Sequence, residues 1–310
     1  MDSSNALGLL FAAAGERGFA ASIVGAGRIA EAVEDLERAR ELGAIDATVW
    51  EERLAAVREP LPEGLDVRSL ILFAIPSSEV RVAFQRERSI ELTLPPTYAQ
   101  YGTLPEEIAA WAGALLEPHG FRVVPAGRIP LKTLAVRSGL GRYGRNNLCY
   151  VPGMGSWGHL VALYANLEPP YEVWREPILL DRCASCRACA KVCPGDAIST
   201  ETVPLRVERC VTFHTERPAQ MPLPDWKRRP ACVFGCMDCQ TYCPVNRALP
   251  RRTETGPAFD EKETTQLLDG APLEDLGEDT LRKLRRLDWI EPYDLLRRNL
   301  TGLLQQSAES

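Results

Sequence analysis

The chain has 310 residues, 45% of them hydrophobic and 25% charged, and a net charge of −6. This excludes wholesale disorder and shows no basic surplus of the kind a general nucleic-acid binder carries; the length favours about two domains. No run reaches the roughly 18 apolar residues of a membrane span, and Asp2, Glu16 and Arg17 interrupt the Ala-rich start where a signal peptide would be basic and then apolar, so the expectation is a cytoplasmic protein with no membrane partner.

In chain order, residues 5–17 read as a short Ala/Leu helix and 19–24 as a strand. A charged helix follows, running to about Leu42. The turn between strand and helix, Gly25-Ala26-Gly27-Arg28-Ile29-Ala30, has the form G-x-G-x-x-A, and Asp46 falls near the distance of a ribose-binding acid. A dinucleotide site and an ordinary glycine turn are both open readings of it. Residues 69–75 form a continuous apolar run closed by Pro76, which reads as a buried strand. A helix is expected over 104–119, with Pro105 in its first turn and Gly120 after its end. A short strand is expected over 121–124, and a helix over 131–138 capped by Gly139. Strands alternating with helices make the first 175 residues an α/β layer.

A second glycine phrase, Gly139-Leu-Gly141-Arg-Tyr143-Gly144-Arg145-Asn146-Asn147, follows a helix rather than a strand and so lacks the context of a nucleotide fingerprint. Its glycines allow close backbone approach, either to a large flat ligand or to another segment of chain. Gly153-Met-Gly155-Ser156-Trp157-Gly158 is a second loop of this kind.

Nine of the ten cysteines lie between positions 183 and 243. Ten cysteines in a chain read as cytoplasmic point to metal or redox chemistry rather than disulfides. Cys183-Ala-Ser-Cys186-Arg-Ala-Cys189-Ala-Lys-Val-Cys193-Pro194 is C-x2-C-x2-C-x3-C-P, the bacterial ferredoxin run, whose fourth cysteine serves the other of two clusters. The partner phrase is Cys232-Val-Phe-Gly-Cys236-Met-Asp-Cys239-Gln-Thr-Tyr-Cys243-Pro244, with Cys210 between the two. By this logic Cys183, Cys186, Cys189 and Cys243 hold one [4Fe–4S] cluster. Cys193, Cys236 and Cys239 hold the second, and either Cys210 or Cys232 completes it. Structural zinc is the competing reading, because C-x2-C pairs also build closed four-ligand zinc sites. Beyond the cysteines, residues 251–270 read as a polar loop and 281–304 as one or two Arg-rich helices.

Several of these phrases together resemble the epoxyqueuosine reductases. They are the Leu131-Lys132-Thr-Leu-Ala…Gly139-Leu-Gly141…Gly144-Arg-Asn146 segment, Gly155-Ser156-Trp157, and Cys210-Val-Thr-Phe. The others are Gly235-Cys236-Met-Asp-Cys239-Gln240, Cys243-Pro-Val-Asn246 and Leu295-Leu-Arg-Arg298-Asn299-Leu. The resemblance implies an α+β fold in three consecutive parts. Residues 1–175 would be a nitroreductase-like α/β domain that binds cobalamin, 176–250 a ferredoxin-like double [4Fe–4S] module, and 251–310 a short helical segment. Reductive dehalogenases share that layout. The resemblance also makes Cys210 the ligand beside Cys193, Cys236 and Cys239, and leaves Cys232 spare. It places the corrin against Gly139, Gly141, Tyr143, Gly144, Asn146, Asn147, Gly155, Ser156 and Trp157.

Three departures from the family pattern bear on chemistry. The family's acidic Asp before the glycine phrase is missing from Pro125-Ala-Gly-Arg-Ile-Pro130. The family's Lys is Arg145, and the helical-repeat tail that grips tRNA in many members is short. The resemblance therefore implies a paralogous branch, with Tyr143 or Lys132 as the expected catalytic proton donor. The leading expectation is a reductase passing electrons from the clusters to cobalt and on to an electrophilic small molecule, fed by a low-potential donor such as ferredoxin or flavodoxin. An electron-transfer protein that activates a corrinoid partner protein is the second reading. A tRNA epoxyqueuosine reductase is the third, set behind the others by the net charge.

Overall fold

The computed structural model describes residues 2–57, 61–201, 205–227 and 231–309, with the side chains of 305–309 set aside. The residues pack into two units that interleave along the chain. One comprises Met1–Pro76, Thr103–Arg187 and Ile198–Val207, and the other Ser77–Gly102, Ala188–Ala197 and Glu208–Ser310. The division expected at residues 175 and 250 follows chain order and the packing does not. Strand Glu79–Gln85 pairs in parallel with strand Thr253–Phe259, which ties residues 77–102 to the C-terminal helices.

The first unit is built on a four-stranded sheet ordered Ala20–Gly25, Ser69–Pro76, Gly158–Ala165, Val123–Pro125, with every neighbouring pair antiparallel. Side chains alternate across a strand, and the central Ser69–Pro76 strand feeds two cores. Ile71, Phe73 and Ile75 pack with Leu7, Leu10, Ile108 and Leu116 of helices Ser3–Glu16 and Leu104–Leu116. Leu70, Leu72 and Ala74 pack with Ala32, Leu134 and Ala135 of helices Arg28–Glu41 and Leu131–Arg137. Helices on both faces explain why this strand is apolar without interruption. The same cause hides strand Gly158–Ala165 from a reading by periodicity, since a fully buried run carries no alternation.

The antiparallel pairing of Ala20–Gly25 with Ser69–Pro76 also decides the first glycine turn, because a dinucleotide fold requires a parallel βαβ unit. The Gly25 N–H instead donates to Glu172 Oε1 at 2.8 Å, and Arg28 Nε donates to Glu172 Oε2 at 3.0 Å, so an internal carboxylate sits at this turn. Asp46 caps helix Ala47–Val49, accepting from the N–H groups of Thr48 and Val49. The Gly25–Gly27 turn and Asp46 thus have partners within the chain.

The second unit has a three-stranded sheet ordered Ser89–Leu94, Glu79–Gln85, Thr253–Phe259. Its core stacks Phe84, Phe259 and Trp289, with Phe84 and Phe259 centroids 5.1 Å apart, against Leu284, Leu296 and Leu300. Residues 251–270, expected as a loop, form strand Thr253–Phe259 and helix Glu261–Asp269. The strand lies at a sheet edge, where its Gly and Pro are tolerated. The helix begins with a capping box between Asp260 and Glu263, a D-x-x-E signal legible in the sequence.

The Arg-rich tail forms two helices, Glu278–Arg286 and Tyr293–Glu309. Arg298 turns inward and donates to the carbonyls of His214, Thr215, Pro218 and Met221, fixing the segment that follows Cys210. Asn299 adds a bond to the Thr215 carbonyl at 3.0 Å.

Candidate functional site

In the first unit, the turn Asp181–Ala184 carries Cys183, whose N–H donates to the Leu180 carbonyl at 2.8 Å. Arg187 closes this turn from one side, donating to the carbonyls of Cys183, Ala184 and Cys186. Arg145, buried, reaches it from the other, with Nη2 on the Cys183 carbonyl at 3.0 Å and Nη1 on the Thr200 carbonyl at 3.2 Å. Arg145 therefore ties the second glycine phrase to the first cysteine. In the sequence it was visible only as a replacement of the family's Lys.

In the second unit, helix Ala188–Val192 carries Cys189 and packs on helix Asp238–Thr241, which carries Cys239. Cys243 caps helix Pro244–Arg247 and Cys210 caps helix Val211–Thr215. The Ala197 N–H donates to Cys193 Sγ at 3.2 Å, and backbone N–H groups also reach the sulfurs of Cys210, Cys232 and Cys236. Every cysteine is free of disulfide bonding. Free thiols met by backbone N–H donors suit thiolate ligands of iron–sulfur clusters, whose potentials such bonds tune. Burial raises the Cys210 and Cys236 thiols and pushes Cys232 up to about 12. Metal loading must therefore displace these protons.

Cys210 and Cys232 differ in their surroundings. Cys193 is among the charges that raise Cys210, while Cys232 answers to Asp238, Glu79 and Arg251 and itself acts on Cys236. Cys232 also joins the sheet region through a bridge to Thr93.

Gly195 packs its Cα against the Arg209 carbonyl, where an added Cβ would overlap backbone oxygen. This contact holds the chain after Cys193 against the chain before Cys210. Gly195→Ala is expected to force the two apart and to lower iron content toward about four atoms per chain, set by loss of one of two [4Fe–4S] clusters. Iron analysis after anaerobic reconstitution measures this, and full iron in the variant would count against the pairing.

The first unit also contains a cavity of about 690 Å³, within the ~300–1,000 Å³ range of small-molecule sites. Leu36, Ile45, Val49, Leu54, Ile178 and Leu179 give it apolar walls. Asp35, Asp46, Arg53, Lys132, Thr133, Tyr143 and Asn147 are its polar and charged groups. Part of the wall is a π-helical turn, Trp50–Leu54, a geometry often found at functional sites.

Tyr143 Oη and Thr133 Oγ1 are 3.1 Å apart. Burial raises the Tyr143 phenol above its ordinary value, with a further contribution from the Asp35 charge, so the phenol keeps its proton at neutral pH. Asp35 is held by Arg137 Nη1 at 2.9 Å, and the Arg137 guanidinium stacks on Trp174. Lys132 Nζ donates to the Asn147 carbonyl at 3.2 Å. Asn147 has a positive φ of 59°, a conformation asparagine tolerates better than most residues.

Of the residues singled out in the sequence, Asp46, Lys132, Tyr143 and Asn147 line the cavity. The others are not among its lining residues. Gly141 and Gly144 make their close approaches to the chain itself: a Cβ on Gly141 would come within 2.5 Å of Cys149 Sγ, and one on Gly144 would enter the Tyr150 ring. Gly139, with φ +83°, terminates helix Leu131–Arg137. Asn146 is buried and donates to Tyr150 Oη, and Gly155, Ser156 and Trp157 are buried in the following turn. Asp35 and Thr133 were not singled out. Nothing in a charged amphipathic helix distinguishes one solvent-facing carboxylate from another, so Asp35 had no sequence signal. Cys149, the tenth cysteine, is pushed up to about 12 by burial and is an inert thiol.

Residues 182–246 match a family described as a 4Fe-4S double cluster binding domain, so the chain carries a module for two [4Fe–4S] clusters. Among curated relatives, the epoxyqueuosine reductase of Shewanella oneidensis is 35% identical over 127 residues, covering 40% of this chain and 30% of that protein. That of Xanthomonas campestris pv. campestris is 31% identical over 194 residues, covering 56% of this chain and 51% of that protein. The chain thus spans about half or less of these relatives. The solved epoxyqueuosine reductase of Streptococcus thermophilus aligns over 95% of this chain and 80% of its own, with a TM-score of 0.63 and 19% identity. An epoxyqueuosine reductase crystallised with a tRNA-Tyr epoxyqueuosine-modified stem loop aligns over 98% and 82%, with a TM-score of 0.64 and 18% identity. The α+β fold is that of these enzymes. Among the described residues no helix is long and apolar enough to cross a membrane.

Proposed function

We propose that this protein is an iron–sulfur, cobalamin-dependent reductase. In this reading electrons enter through two [4Fe–4S] clusters and reach an electrophilic substrate in the cavity beside Tyr143. The observation that carries it lies in the first unit. The Tyr143 N–H donates to the Ile178 carbonyl at 3.1 Å, the Leu180 N–H to the Tyr143 carbonyl at 2.8 Å, and the Cys183 N–H to the Leu180 carbonyl at 2.8 Å. Ile178 and Leu179 are cavity wall. The wall therefore runs by continuous backbone hydrogen bonds into the first cysteine of the cluster module, a short route for an electron.

The cysteine spacing supports Cys183, Cys186, Cys189 and Cys243 as ligands of one cluster. The family resemblance, with the anchoring of the segment after Cys210 by Arg298 and Asn299, supports Cys193, Cys210, Cys236 and Cys239 for the other, with Cys232 spare. The apolar walls, with Asn147 and Lys132 as polar partners for amide groups, suit a corrin, which these two residues would hold. Cobalamin, when bound, supplies a low-valent cobalt able to donate electrons or attack an electrophile. Tyr143 is the proton source, oriented by Thr133, and its raised phenol stays loaded at neutral pH. Asp35, neutralised by Arg137, accepts hydrogen bonds from bound ligand.

Anaerobic reconstitution with iron, sulfide and cobalamin tests the architecture. About eight iron atoms per chain with retained cob(II)alamin, read by metal analysis, optical spectra and EPR, are expected for two clusters and a corrin. Eight iron without retained corrin would remove the cobalamin step, and zinc in place of iron would remove the whole reading.

A second reading places the substrate on tRNA. The curated relatives are named for epoxyqueuosine reduction and one structural relative was crystallised on a tRNA stem loop. Epoxyqueuosine-modified stem loop RNA, assayed for queuosine formation, separates the two. Turnover with binding that weakens steeply with salt supports tRNA; no turnover supports a small-molecule substrate.

A further inference from the structure

We propose that the face of the second unit formed by helices Ala188–Val192 and Pro244–Arg247 and the chain just beyond is the docking surface for an acidic one-electron carrier protein. This rests on the reading of the cysteine module as an electron entry point. From Cys239 to Thr253 the sequence has three arginines and no carboxylate, and from Ala188 to Gly195 it has one lysine and no carboxylate. Asp196, Asp238 and Glu254 bound these stretches, and Asp196 is paired with Lys227.

Lys191, Arg247 and Arg252 are all exposed. Among the described residues none of the three side chains is tied to a carboxylate, whereas Arg282, Lys283 and Arg285 of the tail are each paired to an acid. The three unneutralised cations lie on the same elements as Cys189 and Cys243, or within ten residues of them. Tyr242, 45% exposed, lies in the sequence between Cys239 and Cys243.

Two acidic proteins repel one another in solution, so encounter needs a local patch of the opposite sign. Transient redox complexes are small and held largely by such complementarity. A patch around thiolate-bearing helices brings a donor to where its electron must enter. Phosphate of an RNA would also be drawn to three cations. It would, however, have no reason to meet them on the helices that bear cluster cysteines.

The test follows cluster bleaching by stopped flow in the reconstituted full chain. The reductants are reduced acidic ferredoxin, reduced acidic flavodoxin and photoreduced 5-deazariboflavin, a small uncharged molecule. For the wild type, the rate with either protein donor should fall with rising salt, as steered association does. The triple variant Lys191→Glu, Arg247→Glu, Arg252→Glu should react with the protein donors at least about 10-fold more slowly at low salt, the lower bound for electrostatic steering. With deazariboflavin its rate should equal that of wild type, which also shows its clusters intact. Equal rates of variant and wild type with both protein donors overturn the proposal. So does a variant that loses binding to an RNA stem loop while keeping its donor rates, since this assigns the patch to phosphate. A wild-type protein whose clusters bleach with none of the three reagents overturns the parent reading and this one with it.

Discussion

Cys210→Ala is expected to hold about four iron atoms per chain where the wild type should hold about eight, the count for two [4Fe–4S] clusters, and Cys232→Ala is expected to keep the full number. The two residues were equal candidates by spacing; Cys232 is buried and Cys210 partly so. Both stand near thiols of the second cluster: the Cys193 charge acts on Cys210, and the Cys232 charge acts on Cys236. What separates them is fixity. Cys210 is held in place, since Arg298 and Asn299 fasten the segment after it to the C-terminal helix. A ligand to a rigid cluster needs that fixity, and a spare thiol does not. The remaining cluster of Cys210→Ala should give one EPR signal on reduction instead of the coupled spectrum of two. Half the iron lost from Cys232→Ala, with Cys210→Ala unchanged, would reverse the assignment. Retention of iron in both would point to one thiol replacing the other.

Tyr143→Phe should lower kcat by about 10²- to 10⁴-fold, the usual contribution of a positioned acid, while leaving KM and cobalamin retention close to wild type. The ring stays to fill its place in the wall, and only the hydroxyl that faces Thr133 is lost. Thr133→Val should have a smaller effect, because it removes the orienting partner and leaves the proton in place. The pH profile carries an independent sign. A phenol acting as an acid is active when protonated, so activity falls as pH rises through its pKa. An ordinary phenol titrates near 10, and burial together with Asp35 raises this one. The alkaline limb of kcat should therefore lie above pH ~10 and move toward lower pH in Asp35→Asn, which removes the neighbouring negative charge. An unchanged kcat in Tyr143→Phe would pass the role to Lys132.

The two predictions draw on different layers of information, and so did the fold. The buried strand Ser69–Pro76 and helices Leu104–Leu116 and Leu131–Arg137 stood in the sequence because their apolar runs and end signals are local. Strand Thr253–Phe259 did not. Its Thr, Glu and Gly residues become a strand only because Glu79–Gln85 offers a free edge, a partner some 170 residues away. The glycine turn at residues 25–27 shows the reverse error, a local phrase with a familiar form whose meaning depended on whether its strand ran parallel or antiparallel to the next.

What the sequence determined by itself is the metal chemistry. Thiolate ligands at fixed short spacing on tight turns define a cluster site whatever surrounds them, so two interlocked C-x2-C-x3-C-P phrases suffice. What tertiary structure alone decided is which residues face the cavity. Asp35, Thr133 and Tyr143 come from a helix, a second helix and a two-residue strand, and nothing in their separate neighbourhoods marks them as a set. A cluster site is encoded over a few bonds of chain, while a cavity is a property of packed elements and exists only once the cores on both faces of the sheet have closed.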